Sequence, residues 1–389
     1  MTHVGIDLTQ FVTDPYTSGI QRVLQYLARE WPIDEIPCDF VVPVGDEFLL
    51  LGAGQAAGLI DSAFGAQGAD EVRRAVGLGV AALAEECPRV RQSGLLAMYS
   101  SWLLPEVSYL PNVLDRLELF RQTMPVAMIG YDALPMTDPA NYRFTPGTAA
   151  LVSEYFRLLA AADAVVCISE FSRDAILRRL RRAASARTEV AHPGGDHVPI
   201  AHKEMSKHST RRQVRFLRLG TLEARKRPME IIRAFQHARR EGINAVLQFV
   251  GAPSASDPGI NAELAQACRQ DSNISWIQAA SDEEVHRAFL DSDVFLSFGI
   301  EGYGIPVLES IRRATPVLYG GVQPAGDLMQ GSGGRNAGGD SHEALVEMFR
   351  RYADASEAQA LSSEVKPQAV PRWRDFTGAV ARIAGDCVG

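Results

Sequence analysis

Phe298-Gly-Ile-Glu-Gly-Tyr-Gly-Ile-Pro-Val-Leu-Glu309 continues an apolar run that opens Asp293-Val-Phe-Leu-Ser. The run is short, aromatic and β-branched, the profile of a buried strand. Gly302 and Gly304 allow a tight turn and the close approach of a ligand. Pro306 suits the opening position of a helix, where its missing N–H costs nothing. A strand, a glycine turn and a helix start are therefore predicted in succession, with Glu301 where the strand stops and Glu309 in the first helical turn. A helix N-terminus gathers unpaired N–H groups and partial positive charge, which suits a phosphate. An ionised carboxylate only accepts hydrogen bonds, so two of them suit a hydroxyl-rich partner. Phosphate plus polyol points to a nucleotide sugar.

Working outward, the pattern around this stretch repeats. Strands are predicted at 214–219, 245–250, 274–277, 294–298 and 316–319, and helices at 228–240, 261–269, 282–290 and 306–312. The first half alternates in the same way, with strands at 4–8, 40–44, 95–100, 126–131, 164–168 and 189–191 and helices at 19–30, 70–86, 113–122, 147–161 and 172–184. Continuous apolar strands alternating with helices mean βαβ units and parallel sheets covered on both faces. Ligands of such sheets bind at the carboxyl ends of the strands. Periodicity breaks around 193–213, which reads as the link between two domains. Gly331 to Gly339 reads as a mobile loop, and a last helix at 373–383 has no strand after it to pack beneath.

Composition narrows the class. The chain has 389 residues, 46% hydrophobic and 22% charged, as an ordinary globular protein of two domains does. A net charge of −8 argues against nucleic acid as the main partner. Five scattered cysteines (Cys38, Cys87, Cys167, Cys268, Cys387) without a CxxC pair fit reduced thiols rather than a disulfide framework or a zinc site. The opening Thr2-His-Val-Gly-Ile-Asp7 is strand-like, no apolar run reaches membrane-spanning length, and a cytoplasmic protein is the expectation.

Further stretches carry candidate chemistry. In Leu219-Gly-Thr-Leu-Glu-Ala-Arg-Lys-Arg-Pro228 a strand ends in Gly220 and a helix starts at Pro228, with Arg225, Lys226 and Arg227 between. Such runs are usually solvated loops, yet at a strand's carboxyl end they would neutralise a departing diphosphate. Tyr131 and Asp132 follow a strand of the first domain; Asp132 reads equally well as a turn residue. Gly19 precedes a helix after the first strand and would let a ligand approach. Gly52-Ala-Gly-Gln-Ala-Ala-Gly58 imitates a dinucleotide fingerprint with its third glycine one place late, and reads as a flexible loop. His192 and His197 show no metal-ligand spacing and read as structural or exposed. The basic helix around Arg173–Arg182 reads as a solvated face in preference to a membrane contact.

These residues resemble a known family. Glu301-Gly-Tyr-Gly-Ile-Pro-Val-Leu-Glu309 resembles the E-x7-E signature of retaining GT-B glycosyltransferases of family 4, the group 1 type. Gly220-Thr-Leu-Glu-Ala-Arg-Lys226 resembles the family's donor-phosphate segment. Tyr131-Asp-Ala-Leu-Pro135, the run Asp163 to Ser172 and Trp373-Arg-Asp-Phe376 resemble further landmarks in family order. The resemblance implies an α/β GT-B fold: two Rossmann-like doubly wound domains with a cleft between them and a C-terminal helix crossing back to the first. It implies an acceptor domain over 1–198, a linker at 199–212, a donor domain over 213–371 and a crossover helix at 372–389. Glu301 would contact the transferred sugar and Glu309 the ribose. Lys226 would meet the departing diphosphate, and Arg225, Gly220, Thr221, Gly302, Tyr303, Gly304 and Ile305 would surround the donor, with Gly19 and Tyr131 contributing from the first domain and Asp132 catalytic. No metal or other cofactor is expected. The partners would be a GDP- or UDP-sugar donor and a glycan, lipid-linked or small-molecule acceptor. Two positions depart from the pattern: Thr221 stands where many members carry arginine, and Tyr131 where many carry histidine. A nucleotide-sugar 2-epimerase and a non-catalytic nucleotide-sugar-binding protein are the alternatives.

Overall fold

The computed structural model describes residues 2–66, 68–139, 142, 144–182, 186–201 and 213–386. The chain divides into two units, Met1–Pro193 with Arg372–Gly389, and Gly194–Pro371.

Eight strands build the sheet of the first unit: β1 (Val4–Asp7), β2 (Cys38–Val44), β3 (Glu47–Leu51), β4 (Arg89–Arg91), β5 (Ser101–Leu104), β6 (Val126–Gly130), β7 (Ala164–Cys167) and β8 (Arg187–Val190), in the order β4-β3-β2-β1-β5-β6-β7-β8. β3 and β4 form an antiparallel margin and the remaining neighbours pair in parallel. β1, β5, β6 and β7 are buried along their whole length, and β1, β6 and β7 read as strands in the sequence. The helix Trp373–Gly385 belongs to this unit. Trp373 stacks on Tyr26 with ring centroids 4.7 Å apart, Phe376, Val380 and Ile383 are buried, and the Ser101 hydroxyl donates to the Ala384 carbonyl at 2.8 Å.

The second unit holds six parallel strands: β9 (Val214–Leu219), β10 (Ala245–Val250), β11 (Ile274–Ile277), β12 (Val294–Ile300), β13 (Val317–Val322) and β14 (Gly334–Asn336), in the order β11-β10-β9-β12-β13-β14. Phe349, on the helix His342–Tyr352, sets its ring edge-on against both Phe216 of β9 and Phe235 of the helix Pro228–Arg240, centroids 5.0 and 5.2 Å apart. That cluster seals one face of the sheet.

The structure corrects four expectations. The apolar run at 95–100 is not a strand: most of it lies in the helix Gln92–Met98, and the neighbouring strand is β5. A short apolar run fits either geometry, and here only Leu95 of the helix is buried. Gly52-Ala-Gly-Gln-Ala-Ala-Gly58 is the cap and opening turns of the helix Ala53–Phe64, with the Gln55 side chain accepting from the Gly52 N–H at 3.0 Å. β14 lies inside the glycine-rich stretch from Gly331 to Gly339. Residues 194–198, read as part of the first domain, pack in the second unit: the Gly195 N–H donates to the Pro371 carbonyl at 3.0 Å, and a Cβ on Gly195 would come within 2.5 Å of Leu308. Of the predicted linker, residues 202–212 lie outside the described residues.

Trp373→Ala removes one of the largest fully buried side chains. Urea unfolding followed by circular dichroism should show a loss of about 3–5 kcal/mol.

Candidate active site

Sheet order decides where the second unit can bind a ligand. From β9 the chain moves to β10 and β11 on one side, then returns to β12 on the other. The connections diverge between β9 and β12, and the carboxyl ends of two such strands flank a crevice. The segment after β9 forms a short 3₁₀ turn, Ala224–Lys226, and that after β12 is the Glu301 to Gly304 turn.

Glycine permits the two segments to meet. Gly299 has φ +92°, and a Cβ there would lie 1.9 Å from the Arg225 carbonyl oxygen and 2.9 Å from the Lys226 Cα. Any side chain would push the cationic turn off the strand end. Arg227 closes the turn in the left-handed region, φ 55°, immediately before Pro228 opens its helix.

The charges interlock. Arg225 Nη1 donates to Glu301 Oε2 at 2.8 Å and to the Ile300 carbonyl at 2.7 Å. Its Nη2 pairs with Glu223 Oε2 at 2.5 Å. Lys226 Nζ lies 3.4 Å from both Glu301 Oε1 and Glu223 Oε2. Arg218 projects from β9 with only 6% exposure, and Nη1 donates to the Leu219 carbonyl; burial lowers its pKa, while the charges of Glu301 and Glu223 act to raise it. Burial pushes the Glu301 carboxyl up, but Lys226, Arg225 and Arg218 outweigh it and hold it down at about 2. Three cations thus face two carboxylates, and the surplus is positive. Arg227 is not among them: its Nε pairs with Asp340 at 2.9 Å.

The helix Ile305–Arg312 starts at this crevice, with Gly304 as its left-handed cap (φ 110°) and Pro306 as its second residue. Tyr303 is buried, and its carbonyl accepts from the Ala325 N–H at 3.0 Å. Gln323, fully buried, accepts from the Ser297 hydroxyl at 2.7 Å and donates to the Gly299 carbonyl at 3.2 Å, bracing the end of β12. Glu309 is the fifth helical residue, just past the first turn, and sits 2.7 Å from His197 Nε2. His197, read as structural or exposed, is nearly buried and partners a candidate carboxylate. Gly220 turns the chain at φ +116°, and Thr221 is exposed beside it.

In the first unit the corresponding switch point lies between β1 and β5. Tyr131 and Asp132 help line a cavity of about 470 Å³ there. The Tyr131 hydroxyl donates to the Pro105 carbonyl at 2.7 Å, and Asp132 Oδ1 accepts from the Leu134 N–H at 2.9 Å, so the turn-residue reading of Asp132 holds. The landmark serine Ser169 caps the helix Glu170–Arg179, and Ser172 donates to the Tyr131 carbonyl. Gly19 is an exposed first residue of the helix Gly19–Glu30, capped by Ser18, and its φ is not positive; no strain there calls for glycine. The basic helix divides its arginines. Arg173 and Arg178 pair with Asp174, and Arg182, 4% exposed, donates to the Ala160 and Ala162 carbonyls where the helix Pro146–Ala161 ends. Among the described residues no group of three or more His, Cys, Asp or Glu side chains is arranged to hold a metal ion, and no helix is long and apolar enough to cross a membrane.

Known proteins resemble this chain in part of its sequence and in its fold. Residues 202–359 match the sequence model of the family described as Glycosyl transferases group 1. Over 105 residues, 26% of this chain, the sequence is 30% identical to the serotype-specific mannosyltransferase WbdA of Escherichia coli, and the match covers 13% of that relative's length. Among solved structures, HepE of Anabaena in complex with UDP-glucose superposes with a TM-score of 0.60 at 13% identity, covering 100% of this chain and 96% of that one. A UDP-forming trehalose-phosphate synthase of Burkholderia xenovorans gives 0.62 at 12% identity, covering 99% of each chain. WaaG, a glycosyltransferase of lipopolysaccharide biosynthesis, gives 0.58 at 15% identity, covering 98% of this chain and 99% of that one. The fold is therefore that of GT-B glycosyltransferases. The match to the group 1 family falls within the second unit.

Glu301 ties the site to acid stability. Its folded value lies below the ordinary 4.5, so its stabilisation is complete above that pH and lost as pH falls through about 2. Glu301→Gln should flatten the stability curve across that interval by roughly 3 kcal/mol relative to the wild type, as read from urea unfolding at a series of pH values.

Proposed function

We propose that the chain moves a sugar from a nucleotide diphosphate sugar, of GDP or UDP type, to an acceptor hydroxyl with retention of anomeric configuration and without a metal ion. The observation that carries this reading is the positive surplus at the β9–β12 switch point, beside a glycine-opened helix N-terminus. A diphosphate entering there meets Arg225, Lys226 and the N–H groups of the turn through Gly302, Tyr303, Gly304 and Ile305. Lys226 is held to Glu301 more loosely than Arg225 is, 3.4 Å against 2.8 Å, and is the cation more readily given up to an incoming phosphate. With Thr221 in place of a cation and Arg227 turned to Asp340, Arg225 supplies the second positive charge. The mannosyltransferase relative and the UDP-glucose complex of HepE agree with a hexosyl donor.

In the proposed reaction the bond from the anomeric carbon to the phosphate oxygen breaks, and its electron pair stays on the diphosphate. The acceptor oxygen bonds to the same face of the anomeric carbon while its proton passes to the leaving diphosphate. Glu301, kept ionised, orients the sugar and stabilises the positive charge that develops on it. Glu309, steadied by His197, accepts from the ribose hydroxyls. Asp132 and Tyr131 serve the acceptor from the cavity of the first unit. The side-chain cations take the place of a metal ion.

Glu301→Ala should abolish transfer, and Lys226→Ala should slow it by roughly 10²–10³-fold, both with unchanged circular dichroism; near-normal turnover in both would overturn the assignment. Incubation with donor alone separates the rivals, since an isomerised nucleotide sugar marks an epimerase, and thermal stabilisation without released nucleotide marks a binding protein. Turnover should persist in excess EDTA, as measured by release of nucleotide diphosphate.

A further inference from the structure

We infer that Glu223 is an internal competitor of the donor: its carboxylate takes the place at Arg225 and Lys226 that a diphosphate would occupy, and it swings away when a nucleotide diphosphate seats. The inference rests on the transferase reading above and adds a residue that sets how tightly the site holds the donor and the nucleotide it leaves behind.

Two carboxylates bridge the same two cations. Glu301 and Glu223 each reach both Arg225 and Lys226, and Glu223 does so from within the cationic turn itself. Their holds differ. Glu301 is fixed from two sides: its N–H donates to the Val322 carbonyl at 3.0 Å, continuing the pairing of β12 with β13, and its Oε2 accepts a hydrogen bond from Arg225 Nη1. Glu223 Oε2 lies 2.5 Å from Arg225 Nη2 and 3.4 Å from Lys226 Nζ, yet it accepts no hydrogen bond from the described residues. Charge alone holds it there.

Exposure decides which carboxylate yields. The Glu223 side chain is 36% exposed against 20% for Glu301, although its Oε2 is turned onto the cations and closed off from solvent. Its carbonyl accepts from the Lys226 N–H at 2.9 Å, so the backbone of the turn stays put while side-chain rotation carries the carboxylate into water. With Glu223 seated, Arg218, Arg225 and Lys226 face two carboxylates; with it withdrawn, the same three cations face Glu301. A nucleotide sugar carries an ionised group on each phosphate, and the nucleotide diphosphate left after transfer gains a further charge above about pH 6. Withdrawal of Glu223 makes room for the charge of the donor, and its return competes with the product for the same cations. A site whose competent state is only partly populated binds its ligand correspondingly more weakly.

The test is titration calorimetry with UDP and with GDP on the full chain, on Glu223→Gln and on Glu230→Gln. Glutamine keeps the size of the side chain and removes its charge. Glu230 is comparably exposed, at 38%, and pairs with Arg227, so its variant controls for the loss of a negative charge nearby. Glu223→Gln should bind the preferred nucleotide about fivefold tighter than the wild type, the gain should shrink in molar salt, and Glu230→Gln should match the wild type. A purely structural role for Glu223 predicts the reverse, a loosened turn and weaker binding. Unchanged or weaker binding in Glu223→Gln, with unchanged circular dichroism, or an equal gain in Glu230→Gln, would overturn the competitor role. Where the wild type binds UDP or GDP, either result sinks only the role of Glu223. Absence of binding by both nucleotides in all three proteins sinks the transferase reading, and the inference with it.

Discussion

The contact between the backbone of Gly299 and the carbonyl of Arg225 is the constraint on which the candidate site depends. It brings the carboxyl end of β12 against the cationic turn after β9, closer than any side chain would allow. Neither loop alone makes a site. One carries Arg225 and Lys226 paired with Glu223 of the same turn, and the other carries a carboxylate at a strand end. Joined, they hold Glu301 ionised inside the protein and present positive charge beside a helix N-terminus.

Such an arrangement is costly unless it is paired. A buried carboxylate loses hydration, and a buried guanidinium such as Arg218 does too. Each group is tolerated because the others face it. The pairing also poises the site. Under the proposed function, a donor diphosphate would take over part of the charge pairing that the cations make with protein carboxylates. His197 and Gln323 act one step further out, the first on Glu309 and the second on the backbone of β12.

The first unit repeats the topological device with different chemistry. Its sheet also reverses order beside its first strand, and the crevice that results is lined by rings and carboxylates in place of cations. Residues that look functional by type divide here according to their surroundings. Ser169 and Ser172 shape a helix start and hold the Tyr131 backbone. Arg182, in a run of arginines, spends its hydrogen bonds on the end of a helix. Asp132 both caps a turn and faces the cavity.

Sequence alone determined most of the architecture of the second unit. β9, β10 and β11 and the helix Pro228–Arg240 were legible to the residue, because buried parallel strands are continuous apolar runs and Pro228 marks a helix start. Glu301, Glu309, Arg225 and Lys226 were legible through residue type and glycine spacing. The run at 95–100 was not, since a short apolar segment fits a helix or a strand until its neighbours choose. Arg218 left one signal, a charge inside an apolar strand, whose meaning depends on what lies beyond the strand end. The pairing of His197 with Glu309, separated by 112 positions, left none. Strand order, the diversion of Arg227 to Asp340 and the meeting of Gly299 with Arg225 were decided only by tertiary structure. They are contacts between segments far apart in the chain, and local pattern carries no record of which distant surface a residue will face.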